Sequence, residues 1–98
     1  MITHEIVEKL EASVKPVARL YYKTETVKLI CIGFKKGMVL DQHKTHLPAR
    51  LLVMSGSVTY IQAGVHTMLN AMDYIDIPVN IMHEVVANQD SMCLLTQG

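Results

Sequence analysis

The sequence predicts an all-β domain: a small barrel or sandwich of short antiparallel strands, preceded by a single short helix. Three observations lead there. Beyond residue 13 hydrophobicity alternates with a period of two almost to the end of the chain, as side chains do on a pleated strand. Turn-forming residues interrupt that alternation at a spacing of roughly 8–12 residues, the punctuation of a sandwich or barrel. Half of the 98 residues are hydrophobic, enough to exclude a disordered chain, and the length is that of one domain with a small core.

The elements follow in order. Over residues 3–13, Ile6, Val7, Leu10 and Val14 keep helical spacing, Glu5, Glu8, Lys9 and Glu11 take the other face, and Thr3 is the expected N-cap. Strands are expected at Val17–Tyr22 and at Thr26–Phe34, where Val27, Leu29 and Cys31 alternate with Lys28, Ile30 and Ile32. Lys35-Lys36-Gly37 makes a turn before a short strand, Met38–Leu40. Ala49–Met54, Ser57–Gln62, Val65–Leu69, Tyr74–Ile77, Ile81–Ala87 and Met92–Thr96 complete the set. Breaks fall at Ser55-Gly56, Ala63-Gly64, Asn70-Ala71 and Asn88-Gln89-Asp90. Residues 1–24 read as the helix and a leading strand, residues 25–96 as the barrel proper, all within one domain spanning 1–98.

Composition removes several classes of function. Lys and Arg balance Asp and Glu, leaving zero formal charge and no basic stripe for a nucleic-acid backbone. No apolar run is long enough for a membrane helix, and the N-terminus carries no secretory pattern. Cys31 and Cys93 lie in strand-like runs without a C-x-x-C pair, as expected of reduced, buried thiols in a cytoplasmic protein. Near-zero net charge and the apolar segment Val14–Tyr22, which leaves a strand edge to cover, lead to the expectation of a symmetric homodimer.

The chemistry concentrates in two segments. The first is Gly37-Met-Val-Leu-Asp-Gln-His43-Lys-Thr-His46, followed by a strand that ends at Gly56. The second is Ile77-Pro78-Val79-Asn80-Ile81-Met82-His83. Together they resemble the paired motifs of the cupins, G-x5-H-x-H-x(3,4)-E-x6-G and G-x(5-7)-P-x-G-x2-H-x3-N. Gly37, His43 and Gly56 match the first, with Thr45 in place of its second histidine and Ala49 in place of its glutamate. Pro78 and His83 match the second. There Asn80 replaces the middle glycine, Ala87 the final asparagine, and Asn70 or Ala71 the opening glycine.

The resemblance covers roughly residues 25–96. It implies a jelly roll, the double-stranded β-helix of cupins, with a metal-binding pocket. Typical cupins hold one divalent transition metal through three imidazoles and a carboxylate. Here it implies His43 and His83 as metal ligands, joined by His46 from the loop before Pro48, for Zn, Ni, Fe or Cu. The same pocket is expected to take a small-molecule ligand, with apolar walls such as Leu51, Val53 and Ile81. Taken singly, a strand histidine is more often a surface or hydrogen-bonded residue, and it is the joint fit to both motifs that singles out His43 and His83. His46 is one residue out of the motif, and a surface loop position is the plain alternative for it.

His66 and His4 read as residues without a chemical role. Arg50 reads as an outward strand residue, with a cation for a ligand carboxylate as the alternative. The seven methionines read as core filling, against a thioether-lined pocket. The family includes dioxygenases, isomerases and decarboxylases as well as non-enzymatic binding domains. These residues do not choose among them, nor against a metal-free sensing module or a structural domain with a vestigial site.

Overall fold

The computed structural model describes residues 1–98. One helix, α1 (Ile2–Leu10), leads into nine strands: β1 (Val17–Lys23), β2 (Lys28–Phe34), β3 (Val39–His43), β4 (Ala49–Ser55), β5 (Ser57–Gln62), β6 (Val65–Asn70), β7 (Tyr74–Ile77), β8 (His83–Ala87) and β9 (Ser91–Gln97). They form two antiparallel sheets, ordered β1-β2-β9-β4-β7 and β3-β8-β5-β6. The sheets face each other as a jelly roll whose hydrogen bonding does not close into a continuous barrel.

Two-residue alternation builds the core between the sheets. In β4, Ala49, Leu51 and Val53 are buried while Arg50 is exposed; in β8, His83, Val85 and Ala87 are buried. Ala49, Leu51, Val53, Val85 and Ala87 form one cluster with Ile32, Phe34, Val58, Tyr60, Leu69, Ile77 and Cys93. Each fully buried side chain of this kind contributes about 1.5–3 kcal/mol from removal of apolar surface from water.

β2 is buried on both faces. Ile30, Ile32 and Phe34 face the inter-sheet core, whereas Cys31 packs with Ile6, Leu10 and Val17 under the helix. At Gly33 a Cβ would overlap Ile6 Cγ2, so glycine is what lets α1 lie directly on the sheet. Both cysteines are free and buried; burial pushes Cys31 up and Cys93 to about 12, so neither is a thiolate at neutral pH.

Several boundaries differ from those expected. The helix starts at Ile2 with Met1 as its N-cap, and no side chain caps it; Thr3 lies inside the first turn. The helix ends at Leu10, so Val14 falls beyond it and is 88% exposed, and Val7 is also exposed. Only Ile6 and Leu10 are buried, because a nine-residue helix presents just one narrow stripe to the sheet. β2 begins at Lys28, and Val27 is exposed instead of facing inward. β3 runs on to His43, three residues past Leu40, with a register shift between Leu40 and His43. β8 starts at His83, leaving Ile81 exposed in the preceding loop.

The methionines divide. Met38, Met54 and Met92 pack against the helix-side cluster, whereas Met68, Met72 and Met82 are exposed. No helix is long and apolar enough to cross a membrane.

Candidate functional site

His43 closes β3 and His83 opens β8, and the two are cross-strand partners. Facing each other across one rung, their rings lie 4.1 Å apart between centroids, tilted by 59°. Each ring is held from behind in the same way. His43 Nδ1 donates to the Asp41 carbonyl at 2.8 Å, and His83 Nδ1 donates to the Ile81 carbonyl at 3.1 Å. A carbonyl only accepts, so each Nδ1 carries the proton. In the neutral ring Nε2 is then left with its lone pair.

His83 is buried, and that burial holds it below the ordinary imidazole value; the Ile81 carbonyl opposes the shift and His43 adds to it. It is therefore neutral at neutral pH. Tyr60 stacks on His83 with centroids 5.6 Å apart, and its hydroxyl donates to Gln62 Oε1 at 2.7 Å. Burial raises the Tyr60 phenol, which keeps it a donor.

The pair opens onto a cavity of about 290 Å3. Ile32, Leu40, Leu51, Ile77, Val85 and Leu95 form its apolar wall; Lys44, Thr45, His46, Leu47 and Gln97 stand around it with the two imidazoles. Two loops frame this end. The β3–β4 loop is cross-tied by the Thr45 hydroxyl, which donates to the Leu47 carbonyl. The β7–β8 loop is fastened to it where Asn80 N–H donates to the Thr45 carbonyl at 2.8 Å. Asn80 holds φ +59°, a left-handed conformation that asparagine accepts far better than most residues. That is why asparagine serves where the cupin motif has glycine.

His46 is exposed and lines the same cavity. Leu51 lines the cavity as expected. Val53 does not: it is fully buried deeper in the core. Ile81 does not either, being exposed outside. Arg50 is on the outer sheet face, paired with Asp76 through Nε–Oδ1 at 2.6 Å and stacked on Tyr74. That pairing lowers Asp76 and raises Arg50 in pKa. His66 is exposed on β6, and His4 meets Glu8 at 3.0 Å on the helix surface. No methionine lines the cavity. Tyr60 and Gln97 hold no motif position, although strand parity with Val58 places Tyr60 on the inner face.

A divalent metal is the group the motif resemblance implies. The donor chemistry suits it: two imidazoles with Nδ1 anchored on carbonyls present Nε2 outward, the usual arrangement behind a metal-ligating histidine. The number of donors is small. No set of three His, Cys, Asp or Glu side chains comes together at ligating distance, since Thr45 and Ala49 occupy the other two motif positions. Two facing imidazoles alone fall short of the donor set of a closed structural metal centre.

No protein-family model matches the chain, and no curated protein matches it. Solved structures do. A RmlC-like cupin from Desulfovibrio desulfuricans superposes with a TM-score of 0.79 at 22% identity, over 86% of this chain and 82% of that one. A RmlC-like cupin from Shewanella frigidimarina gives 0.80 at 19% identity, over 87% and 77%. A cupin 2 conserved barrel domain protein from Leptotrichia buccalis gives 0.77 at 26% identity, over 85% of this chain but 40% of that one. With its two facing antiparallel sheets and its histidine-bearing loops at one end, the chain has the cupin fold.

Proposed function

We propose that the cavity is a small-molecule site in which His43 and His83 bind an exchangeable divalent transition metal through Nε2, with solvent or ligand filling the remaining positions. The observation that carries this is the pair of Nδ1–carbonyl hydrogen bonds, which orient two adjacent rings and free both Nε2 atoms. His46 stands on the same cavity and is the protein group from which a third donor would come. The metal would supply Lewis acidity to a bound ligand. The chain's own residues supply orientation through the carbonyl anchors and exclusion of water through the apolar wall.

Titration calorimetry with Zn2+ or Ni2+ tests this. One ion per chain should bind, and His43→Ala and His83→Ala should each abolish binding. Binding that survives both substitutions, or wild-type protein that takes up no ion, overturns the reading.

We also propose that the chain forms a symmetric homodimer in the cytoplasm through β1. This strand is the edge of its sheet, and Leu20, Tyr21 and Tyr22 on it are 55%, 60% and 57% exposed. Two free, buried thiols support a reducing compartment. A monomeric mass by light scattering would remove the assembly proposal.

A further inference from the structure

The outer faces of the two sheets differ. The helix α1 lies on β1 and β2 and so covers part of the five-stranded sheet, whereas no helix lies on the four-stranded one. In that sheet Val58, Tyr60, Leu69, Val85 and Ala87 point into the core, so the residues alternating with them point out. Register sorts the outward residues into two rungs. One runs Val39–Val86–Thr59–Met68 across β3, β8, β5 and β6. The next runs Glu84–Ile61–His66 across β8, β5 and β6. Met68 is 64% exposed and Val39 38%. The Thr59 hydroxyl donates to Asn88 Oδ1 of its own chain at 3.1 Å, so it needs no outside partner. None of the four strands carries a lysine or an arginine, and their only acids are Asp41 and Glu84.

We infer that this face is a self-complementary interface, packed against the same face of a second copy of the chain, with the two-fold axis lying between the sheets and parallel to β5. The apolar rung supplies the contact area, on a face poor in charge and bearing an exposed methionine, as interface cores are. Charge supplies the geometry. Two copies of one sheet, face to face, are related by an axis across the strands or by one along them. An axis across the strands sets Glu84 against the partner's Glu84, which is repulsive. An axis along β5 exchanges β8 with β6, because both flank β5. Glu84 then meets the partner's His66, twice by symmetry, and Ile61 faces its own copy between the two pairs. An imidazole N–H donates to a carboxylate whether the ring is neutral or protonated. Asp41 lies on the Glu84 side of β5, since β3 neighbours β8, and adds to the acidic side. The lack of cations counts against a lipid headgroup or a nucleic-acid phosphate as the occupant. The face belongs to the sheet without β1, so it is independent of the β1 pairing and joins β1 dimers in pairs.

The test is cross-linking of Ile61→Cys in the full chain with a bis-maleimide of about 10 Å reach, the spacing of packed sheets. Cys31 and Cys93 are buried and not ionised, so they do not compete for the reagent. Ile61→Cys should give a two-chain product on a denaturing gel. Met72→Cys, at a position 70% exposed in the β6–β7 turn, should stay single-chain. Adding His66→Glu to Ile61→Cys sets carboxylate against carboxylate twice and should slow cross-linking about tenfold. Adding Glu84→His as well exchanges the two partners and should restore it. No two-chain product from Ile61→Cys, or as much product from Met72→Cys, overturns the inference. Cross-linking unchanged by His66→Glu also overturns it, because the pairing that fixes the axis would then be absent.

Discussion

The two ends of the jelly roll are built from the same strands and behave differently. At one end Phe34, Val53, Val58, Ala87 and Cys93 are almost wholly buried, and short connections close over them. Ser91 Oγ accepts from Ser57 N–H at 3.0 Å, and Asn88 Nδ2 donates to Ser57 Oγ at 3.1 Å, so the polar groups under the turns are satisfied locally. Gly56 holds φ +88°, and a Cβ there would run into the Asp90 carbonyl and Ser91, so this turn is closed by backbone against backbone. At the other end the same inward-facing rows continue through Leu51, Ile77, Val85 and Leu95, but they line a cavity. The difference lies in the connections. The loops between β3 and β4 and between β7 and β8 are longer, are held off by the Asn80–Thr45 bond, and bring imidazoles instead of packing over the apolar wall. The closed end is sealed by backbone-tight turns, and the open one carries the imidazoles.

The largest test of that contrast is truncation at each end. Phe34→Ala should cost about 3–5 kcal/mol of unfolding free energy, since it leaves a closed void. Leu51→Ala should cost less, toward about 2 kcal/mol, because the removed atoms already faced a cavity. Denaturant unfolding of both variants decides it, and equal losses would mean that the two ends are packed alike.

Next in size is Ala49→Glu, at the motif's glutamate position; Ala49 is buried two residues before the cavity-lining Leu51 on the same face of β4 and does not itself line the cavity. Without metal, a buried carboxylate is costly or must take up a proton, so the variant should melt below wild type in chelator. With Ni2+ added, its gain in melting temperature should exceed that of wild type, because the ion binds the folded state. An increment no larger than that of wild type would remove Ala49 from the site.

The smallest expected effect is a pH slope. His83 lies below its unfolded value of about 6.5, so between those two values the unfolded chain binds more protons than the folded one. Stability should therefore fall as pH drops below about 6.5 and level off below the folded value. His83→Gln should flatten that slope in thermal melts recorded across mildly acidic pH. An unchanged slope would place the titrating group elsewhere.

Much of the architecture was legible from residue order alone. Ser57–Gln62 and Tyr74–Ile77 are strands with the expected ends, and most other strands shift by one or two residues, because a period of two with turn residues at its breaks is a local property. Gly37 and Gly56 were readable for the same reason, each sitting at a turn with a left-handed backbone, whereas the left-handed Asn80 in the motif's glycine place emerges only in the fold. What locality could not decide was set by packing. Val7 and Val14 fit a helical stripe, yet the sheet accepts only Ile6 and Leu10, at the point where Gly33 clears space for them. Ile81 and Val53 share parity with the cavity residues, but loop path and depth exclude one and bury the other. The facing of His43 and His83 depends on a register shift in β3 and on partners 40 residues apart in sequence, and so does the freedom of their Nε2 atoms, which rests on backbone carbonyls that only the folded loops bring into place.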